Sequence, residues 1–203
     1  MKLSVLLVSI VLLSRTLLAQ GTVNFFNSDS TLISAGAPGQ GVPITSPAGS
    51  YFFGLLLAPP GTTDPSHFSF TGIYATNVGG AFPGRISGGT DVRVPGWIEF
   101  GTMSFFVAGW SASLGHDWQQ TWINGAFGTS GFFGQSAIAT GMASGPTTPP
   151  NPPYNLFGGG TGIQTGFDLL PVPEPSVWAL VVAGGAMLLA RHCRQRWTGL
   201  NRR

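Results

Sequence analysis

Glycine and proline interrupt this 203-residue chain so often that few windows remain in which a helix could form. Of its 31 glycines and 16 prolines, 28 and 13 respectively fall between residues 21 and 170. In a helix interior, glycine costs about 1 kcal/mol and proline about 3 kcal/mol. The runs between them are short and rich in aromatic and β-branched residues, which is typical of β-strands. The sequence therefore predicts an all-β domain over residues 21–170.

Several of the strand candidates are apolar on both faces. The runs YFFGLLLA (residues 51–58) and MSFFVAGW (residues 103–110) suit central strands that are covered on both sides. We therefore predict a β-sandwich or jelly-roll-like domain. The predicted strands are Thr22–Asn27, Tyr51–Ala58, Phe68–Tyr74, Trp97–Trp110 with a bend at Gly101, Phe132–Thr140 and Gly166–Leu170.

The distribution of charge argues against nucleic-acid binding. Seven of the nine lysines and arginines lie in the first 15 or the last 13 residues. Residues 21–170 contain two arginines and six acidic residues, which gives this region a net charge of −4. It therefore has no basic patch that could neutralise phosphates. The single cysteine, Cys193, lies in the Arg-rich tail, so no disulfide is expected in the domain.

Residues 1–20 have the order of features found in a secretory signal peptide. Lys2 precedes an apolar run from Leu3 to Leu13, and the small residue Ala19 precedes Gln20. We therefore predict a signal helix that is recognised by Sec-type export machinery and removed. The alternative is an N-terminal membrane anchor that is retained.

Residues 171–203 form a second segment with a membrane-related pattern. Alternate prolines in residues 171–176 disfavour both helix and sheet, and the apolar run Val177–Ala190 follows. As a helix, these 14 residues would span about 21 Å, against a hydrocarbon core of about 30 Å. Arg191, Arg194 and Arg196 come next and would hold the tail in the cytoplasm. We predict a single C-terminal transmembrane helix, with a tail-anchored protein on a Pro-rich stalk as the alternative.

These three C-terminal features resemble the PEP-CTERM sorting signal of Gram-negative bacteria, which is also catalogued as the ice-binding protein C-terminal domain. The resemblance covers residues 172–196. It implies that a membrane protease, exosortase, recognises the segment and cuts near the motif, and that the protein is released or passed to the cell surface, often alongside exopolysaccharide. By resemblance, the sorting motif is Val172, Pro173, Glu174, Pro175 and Ser176.

No motif in the sequence indicates a particular catalytic reaction. His67 and His116 are the only histidines between residues 21 and 170, and no Gly-x-Ser-x-Gly elbow accompanies them. Metal-binding and phosphate-binding patterns are also missing from the sequence. Asp91 and Glu99 could in principle supply two carboxylates for glycoside cleavage, but their spacing does not single them out. We predict that the protein is not an enzyme and uses no metal or cofactor.

Four tryptophans could bind a sugar by stacking. Trp97 and Trp110 lie in predicted strands and are expected in the core. Trp118 and Trp122 lie in a short predicted helix, Asp117–Asn124, with Asp117 as its N-cap, and are the candidates for ligand stacking.

Together these features predict an exported, non-enzymatic protein of the cell surface or extracellular matrix. It would pass through an inner-membrane intermediate and act as a structural or adhesive component of an exopolysaccharide matrix. The alternative is a carbohydrate-binding domain or, with less support, a glycan hydrolase.

Overall fold

A computed structural model describes residues 20–126, 129–145 and 152–172. These residues contain eleven strands, three short 3-10 helices and one α-helix, α1 (Trp118–Ala126). The prediction of an all-β domain is therefore confirmed. The strands are β1 (Gln20–Phe26), β2 (Ser34–Ala35), β3 (Val42–Pro43), β4 (Tyr51–Ala58), β5 (Ser69–Asn77), β6 (Ile86–Ile98), β7 (Thr102–Ser111), β8 (Phe132–Gln135), β9 (Ala139–Met142), β10 (Tyr154–Asn155) and β11 (Asp168–Pro171).

All eleven strands belong to one hydrogen-bonded sheet. Its order is β10-β1-β6-β5-β4-β7-β8-β11-β2-β3, and β9 pairs with β7 beside this path. The longest uninterrupted pairing joins β4 to β7, where every residue of β4 has an antiparallel partner between Ser104 and Ser111. These two central strands contain the runs that the sequence marks as apolar on both faces.

The sheet curls because β5 and β6 separate after a short contact. They pair only through Thr76 with Ser87 and Asn77 with Ile86, and β6 then continues along β1. An isolated bridge between Thr22 and Ser144 joins β1 to the segment that follows β9. The result is one sheet curled into a half-barrel, with β1 and β6 facing β4 and β7.

Two apolar clusters cover the opposite faces of the central strands. Along β4, Phe53 and Leu55 point into the half-barrel, whereas Leu56 points to its outer face. On β7, Phe105 points inward and Trp110 outward. The inner cluster is enclosed by the curl of the sheet, and the outer cluster is covered partly by α1 through Trp118. Both faces of these strands are therefore buried, as the sequence predicts.

Two strand predictions are wrong in their extent. The predicted strand Trp97–Trp110 is two strands, because β6 ends at Ile98, the chain turns and β7 begins at Thr102. The N–H of Gly101 donates to the carbonyl of Ile98 at 2.9 Å in this turn. The predicted strand Phe132–Thr140 is likewise divided into β8 and β9.

The two terminal segments lie largely outside the described residues. They include residues 1–19 of the predicted signal peptide and residues 173–203, which carry most of the sorting motif and the three arginines. Within the described ranges, no helix has the length and apolar character needed to cross a membrane.

Candidate functional site

The short helix α1 carries both candidate stacking residues, as the sequence predicts. The carbonyl of Asp117 accepts a hydrogen bond from the N–H of Thr121 at 2.9 Å, so Asp117 occupies the N-cap position. The described hydrogen bond of its side chain is with His116, whose Nδ1 lies 3.0 Å from Asp117 Oδ1. The helix therefore begins at the predicted position, and the carboxylate of Asp117 contacts His116.

Trp118 packs against the sheet. Its ring centroid lies 5.5 Å from that of Trp110, 6.1 Å from Phe70 and 6.2 Å from Phe133. These contacts make Trp118 the cover of the outer apolar cluster and leave it half-buried. Much of the surface of the Trp118 ring is therefore covered by other side chains of the protein.

Trp122 is the more accessible of the two rings, with 56% of its surface exposed. Its centroid lies 5.4 Å from Trp118 at an interplanar angle of 86°, and 5.4 Å from Phe133. Because the two indoles are nearly perpendicular, they do not form one flat surface for consecutive sugar rings. Trp122 instead forms one wall of a pocket.

This apolar pocket lies between α1, β8 and the end of β11 and has a volume of about 500 Å³. That volume is within the usual range of small-molecule sites, roughly 300–1,000 Å³. Among its described lining residues, Thr121 alone bears a hydroxyl, which already donates to the carbonyl of Asp117 at 3.0 Å. The lining residues are Leu114, Thr121, Trp122, Gly125, Phe133, Leu170, Pro171 and Val172.

The first residue of the predicted sorting motif belongs to the wall of this pocket. Val172 donates its backbone N–H to the carbonyl of Gly131 at 2.8 Å. Just before it, Leu170 and Pro171 pair with Phe133 and Phe132 of β8. The chain is therefore tied to the sheet up to the residue that precedes Pro173.

A second, more polar groove of about 330 Å³ adjoins the start of β8. Within it, the hydroxyls of Ser111 and Ser113 lie 3.0 Å apart, and Ser113 also donates to the carbonyl of Ser130 at 2.9 Å. The groove presents hydroxyl groups and two aromatic residues. It is lined by Ser46, Ser50, Tyr51, Ser111, Ser113, Ser130, Gly131 and Phe132.

The histidines and their neighbours have structural contacts. His116 packs edge-on against Phe52 at 4.7 Å, and its hydrogen-bond partner is the exposed Asp117. Asp64 caps a 3-10 turn by accepting from both the N–H and the hydroxyl of Ser66. Those two hydrogen bonds lower the pKa of the Asp64 carboxyl. In neither place does a described hydrogen bond join a histidine to a serine or threonine nucleophile.

The two carboxylates considered for glycoside cleavage lie at different points along the chain of β6. Asp91 is near the middle of β6, whereas Glu99 follows its end. The strand between them is bulged, because six residue steps of β6 lie opposite three of β1, a length of about 10 Å. No described hydrogen bond joins the two side chains. Among the residues that the structure describes, no three metal-ligating side chains form a group that could hold an ion.

Trp97 and Trp110 are fully buried, so the prediction that they belong to the core is confirmed. The sequence did not point to the apolar pocket, because its walls come from three elements that are separated along the chain. The only sequence signal for it is the pair Trp118 and Trp122, four residues apart on a short predicted helix. Comparisons with protein-family models, curated proteins and solved structures found no match to this chain.

Proposed function

We propose that this chain is an exported, non-enzymatic protein of the cell surface or extracellular matrix, sorted through a PEP-CTERM signal. The order of motif, apolar run and arginines in residues 172–196 carries this proposal. Val172, the first residue of the motif, donates its N–H to the carbonyl of Gly131, so the motif directly follows the folded domain. The partners would be Sec-type export machinery and an exosortase-type membrane protease.

In this proposal, each part of residues 171–203 has one task. Pro173, Glu174 and Pro175 would be recognised on the outer side of the inner membrane. The apolar run Val177–Ala190 would hold the intermediate in the bilayer until cleavage, with Arg191, Arg194 and Arg196 in the cytoplasm. The mature domain would then pass to the cell surface or leave the cell.

A structural or adhesive role in an exopolysaccharide matrix follows from the character of the domain. Its net charge is small for its length, and low charge favours association over dispersion. The structural contacts of His116 support a non-enzymatic role. A β-sandwich or jelly-roll-like classification remains part of the proposal, supported by the shared core between β1–β6 and β4–β7.

Carbohydrate binding is the second candidate, and the hydroxyl-lined groove beside β8 favours it. Ser46 and Ser50 line this groove together with Tyr51 and Phe132, a combination that suits an uncharged sugar. Affinity electrophoresis in the host's own exopolysaccharide would test it. Retardation that is lost in Ser50→Ala, and kept in the control Phe82→Ala, would favour sugar binding in this groove, whereas loss in Trp122→Ala alone would favour binding at the apolar pocket. Phe82 is 61% exposed and lines neither cavity.

Cell fractionation with mass spectrometry of the mature C-terminus tests the sorting proposal. We expect a surface or released protein that ends between Val172 and Ala190. Glu174→Gln should reduce processing, whereas Glu99→Gln should not, since Glu99 is the only other glutamate in the chain. A mature protein that still ends at Arg203 would contradict sorting by cleavage.

A further inference from the structure

The apolar pocket beside α1 is open to solvent. Trp122 and Leu170, on two of its walls, are 56% and 39% exposed. None of its described lining residues carries a charge. Apolar surface of this kind gains roughly 25 cal/mol per Å² when it is covered, so an apolar occupant would be stabilised here.

The sequence continues from the wall of this pocket into an apolar segment. Pro171 and Val172 form part of the wall, and the apolar run begins at Val177. The five residues from Val172 to Val177 can reach up to about 17 Å, which allows a turn back onto the pocket. The run has 14 apolar residues, fewer than the roughly 20 that span a bilayer. A segment that is short for a membrane anchor gains less from the bilayer and can be held by the protein.

We propose that the pocket binds the start of the chain's own apolar segment, Val177–Leu180, whenever that segment is outside a bilayer. In this arrangement, Trp178 supplies an aromatic ring that packs against Trp122 and Phe133 of the pocket. Docking shields the apolar segment from water in the uncleaved chain. Release of the segment, into a bilayer or by proteolysis, uncovers Trp122 and the pocket. The inference concerns the uncleaved chain and does not require that a protease cut it.

Disulfide trapping in the purified full-length chain tests this inference. In a Cys193→Ser background, Gly125→Cys is combined with Ala179→Cys, which leaves Val177, Trp178 and Leu180 in place. A side chain at Gly125 is tolerated, because its Cβ would meet only Cγ1 of Val172, at 3.9 Å. The matched control is Gln120→Cys with Ala179→Cys, since Gln120 is exposed on the same helix and does not line the pocket.

With oxidised glutathione as the oxidant, we expect the Gly125→Cys and Ala179→Cys pair to form an intramolecular disulfide at least about fivefold faster than the control pair in detergent-free buffer. Adding Trp178→Asp should slow it by at least about fivefold, because a charge is costly to bury in an apolar site. Equal rates for the two pairs, or no effect of Trp178→Asp, would overturn the inference. Disulfides between two chains instead of within one would also overturn it, since the occupant would then be a second copy.

The result is separable from the sorting proposal. Processing in cells is measured on a chain that keeps Cys193 and Gly125, whereas disulfide trapping uses the purified, uncleaved chain. Trapping without processing would support docking alone, and processing without trapping would support sorting alone.

Discussion

The indole nitrogen of Trp110 donates a hydrogen bond to the carbonyl of Gly115 at 2.9 Å. Trp97 makes the same kind of contact with the carbonyl of Gly101 at 2.7 Å. Each tryptophan lies at or near the end of a long strand and reaches the turn that follows it. Both rings are fully buried, one in the outer cluster and one in the inner cluster. The two indoles therefore tie chain reversals to the two cores.

Trp110→Phe should lower the free energy of unfolding by about 2–4 kcal/mol, because it leaves a cavity and an unpaired carbonyl at Gly115. Urea unfolding followed by circular dichroism measures the change. The exposed Trp122 gives a matched control, and Trp122→Phe should cost less than about 1 kcal/mol. Equal losses in the two variants would contradict the structural role of the Trp110–Gly115 contact.

Asn77 fixes the loop before β4 through all three of its described side-chain hydrogen bonds. It donates to the carbonyls of Ser46 and Pro47 and accepts from the N–H of Tyr51, while only 1% of its surface is exposed. Asn77→Ala would leave these groups unpaired and should lower the free energy of unfolding by about 3 kcal/mol.

The exposed pair Asn24–Asn155 provides the comparison for Asn77. The two side chains are bonded at 2.8 Å. Because water can replace a lost bond at an exposed position, Asn155→Ala should cost less than about 1 kcal/mol in the same urea titration. If Asn77→Ala lowers the free energy of unfolding by less than Asn155→Ala does, burial does not govern the energetic cost of losing these hydrogen bonds.

Gly54 lets the outer aromatic cluster approach β4 closely. A Cβ built there would lie 2.9 Å from Cε2 of Phe70 and 3.1 Å from Cη2 of Trp110. Gly54→Ala should therefore lower the melting temperature, at a cost of about 1–3 kcal/mol from overpacking. Gly125→Ala should raise the melting temperature, because helix propensity improves and the new Cβ has room. The gain in the free energy of unfolding should be about 0.5 kcal/mol. The same sign for both variants would contradict this reading of the packing.

Burial raises the pKa of Tyr154 above the ordinary tyrosine value, and it does the same for Tyr74. The unfolded chain therefore loses these protons at a lower pH than the folded chain does. The stability that depends on the neutral phenols is fully present below about pH 10 and is lost as the pH rises through the raised values. Tyr154→Phe should reduce this loss of stability at alkaline pH. The reduction should be partial, because Tyr74 still contributes to the loss.

Unfolding in urea at pH 8.5 and pH 10.5 would measure the effect of Tyr154→Phe. The variant should lose less stability between these two pH values than the unsubstituted protein. An identical loss would show that Tyr154 does not contribute to the alkaline decline.

Strands with apolar and β-branched sequences could be predicted, whereas β6 could not. The run Tyr51–Ala58 is one strand from end to end, as predicted. By contrast, β6 contains Gly88, Gly89, Pro95 and Gly96, residues that usually mark turns. It is a strand because β1 supplies hydrogen-bond partners along its length, with bulges that accommodate the irregular residues.

The candidate site was only partly visible in the sequence. The helix that carries Trp118 and Trp122 could be predicted, because their spacing puts both rings on one side of it. Their different exposure could not, since it depends on how β7 and β8 pass beneath the helix. The pocket also required Leu170 to pair with Phe133 and Val172 to bond to Gly131, contacts between residues about forty positions apart.

The sequence by itself determined the all-β class, because the spacing of glycine and proline and the two-sided apolar runs are local properties of the chain. It also carried the terminal patterns from which export and sorting are proposed. The tertiary structure alone decided that the strands form one curled sheet, and where its apolar surface stays open. The physical reason is that hydrogen-bond partners and packing neighbours in a sheet come from distant parts of the chain, and only their pairing selects which apolar residues are covered.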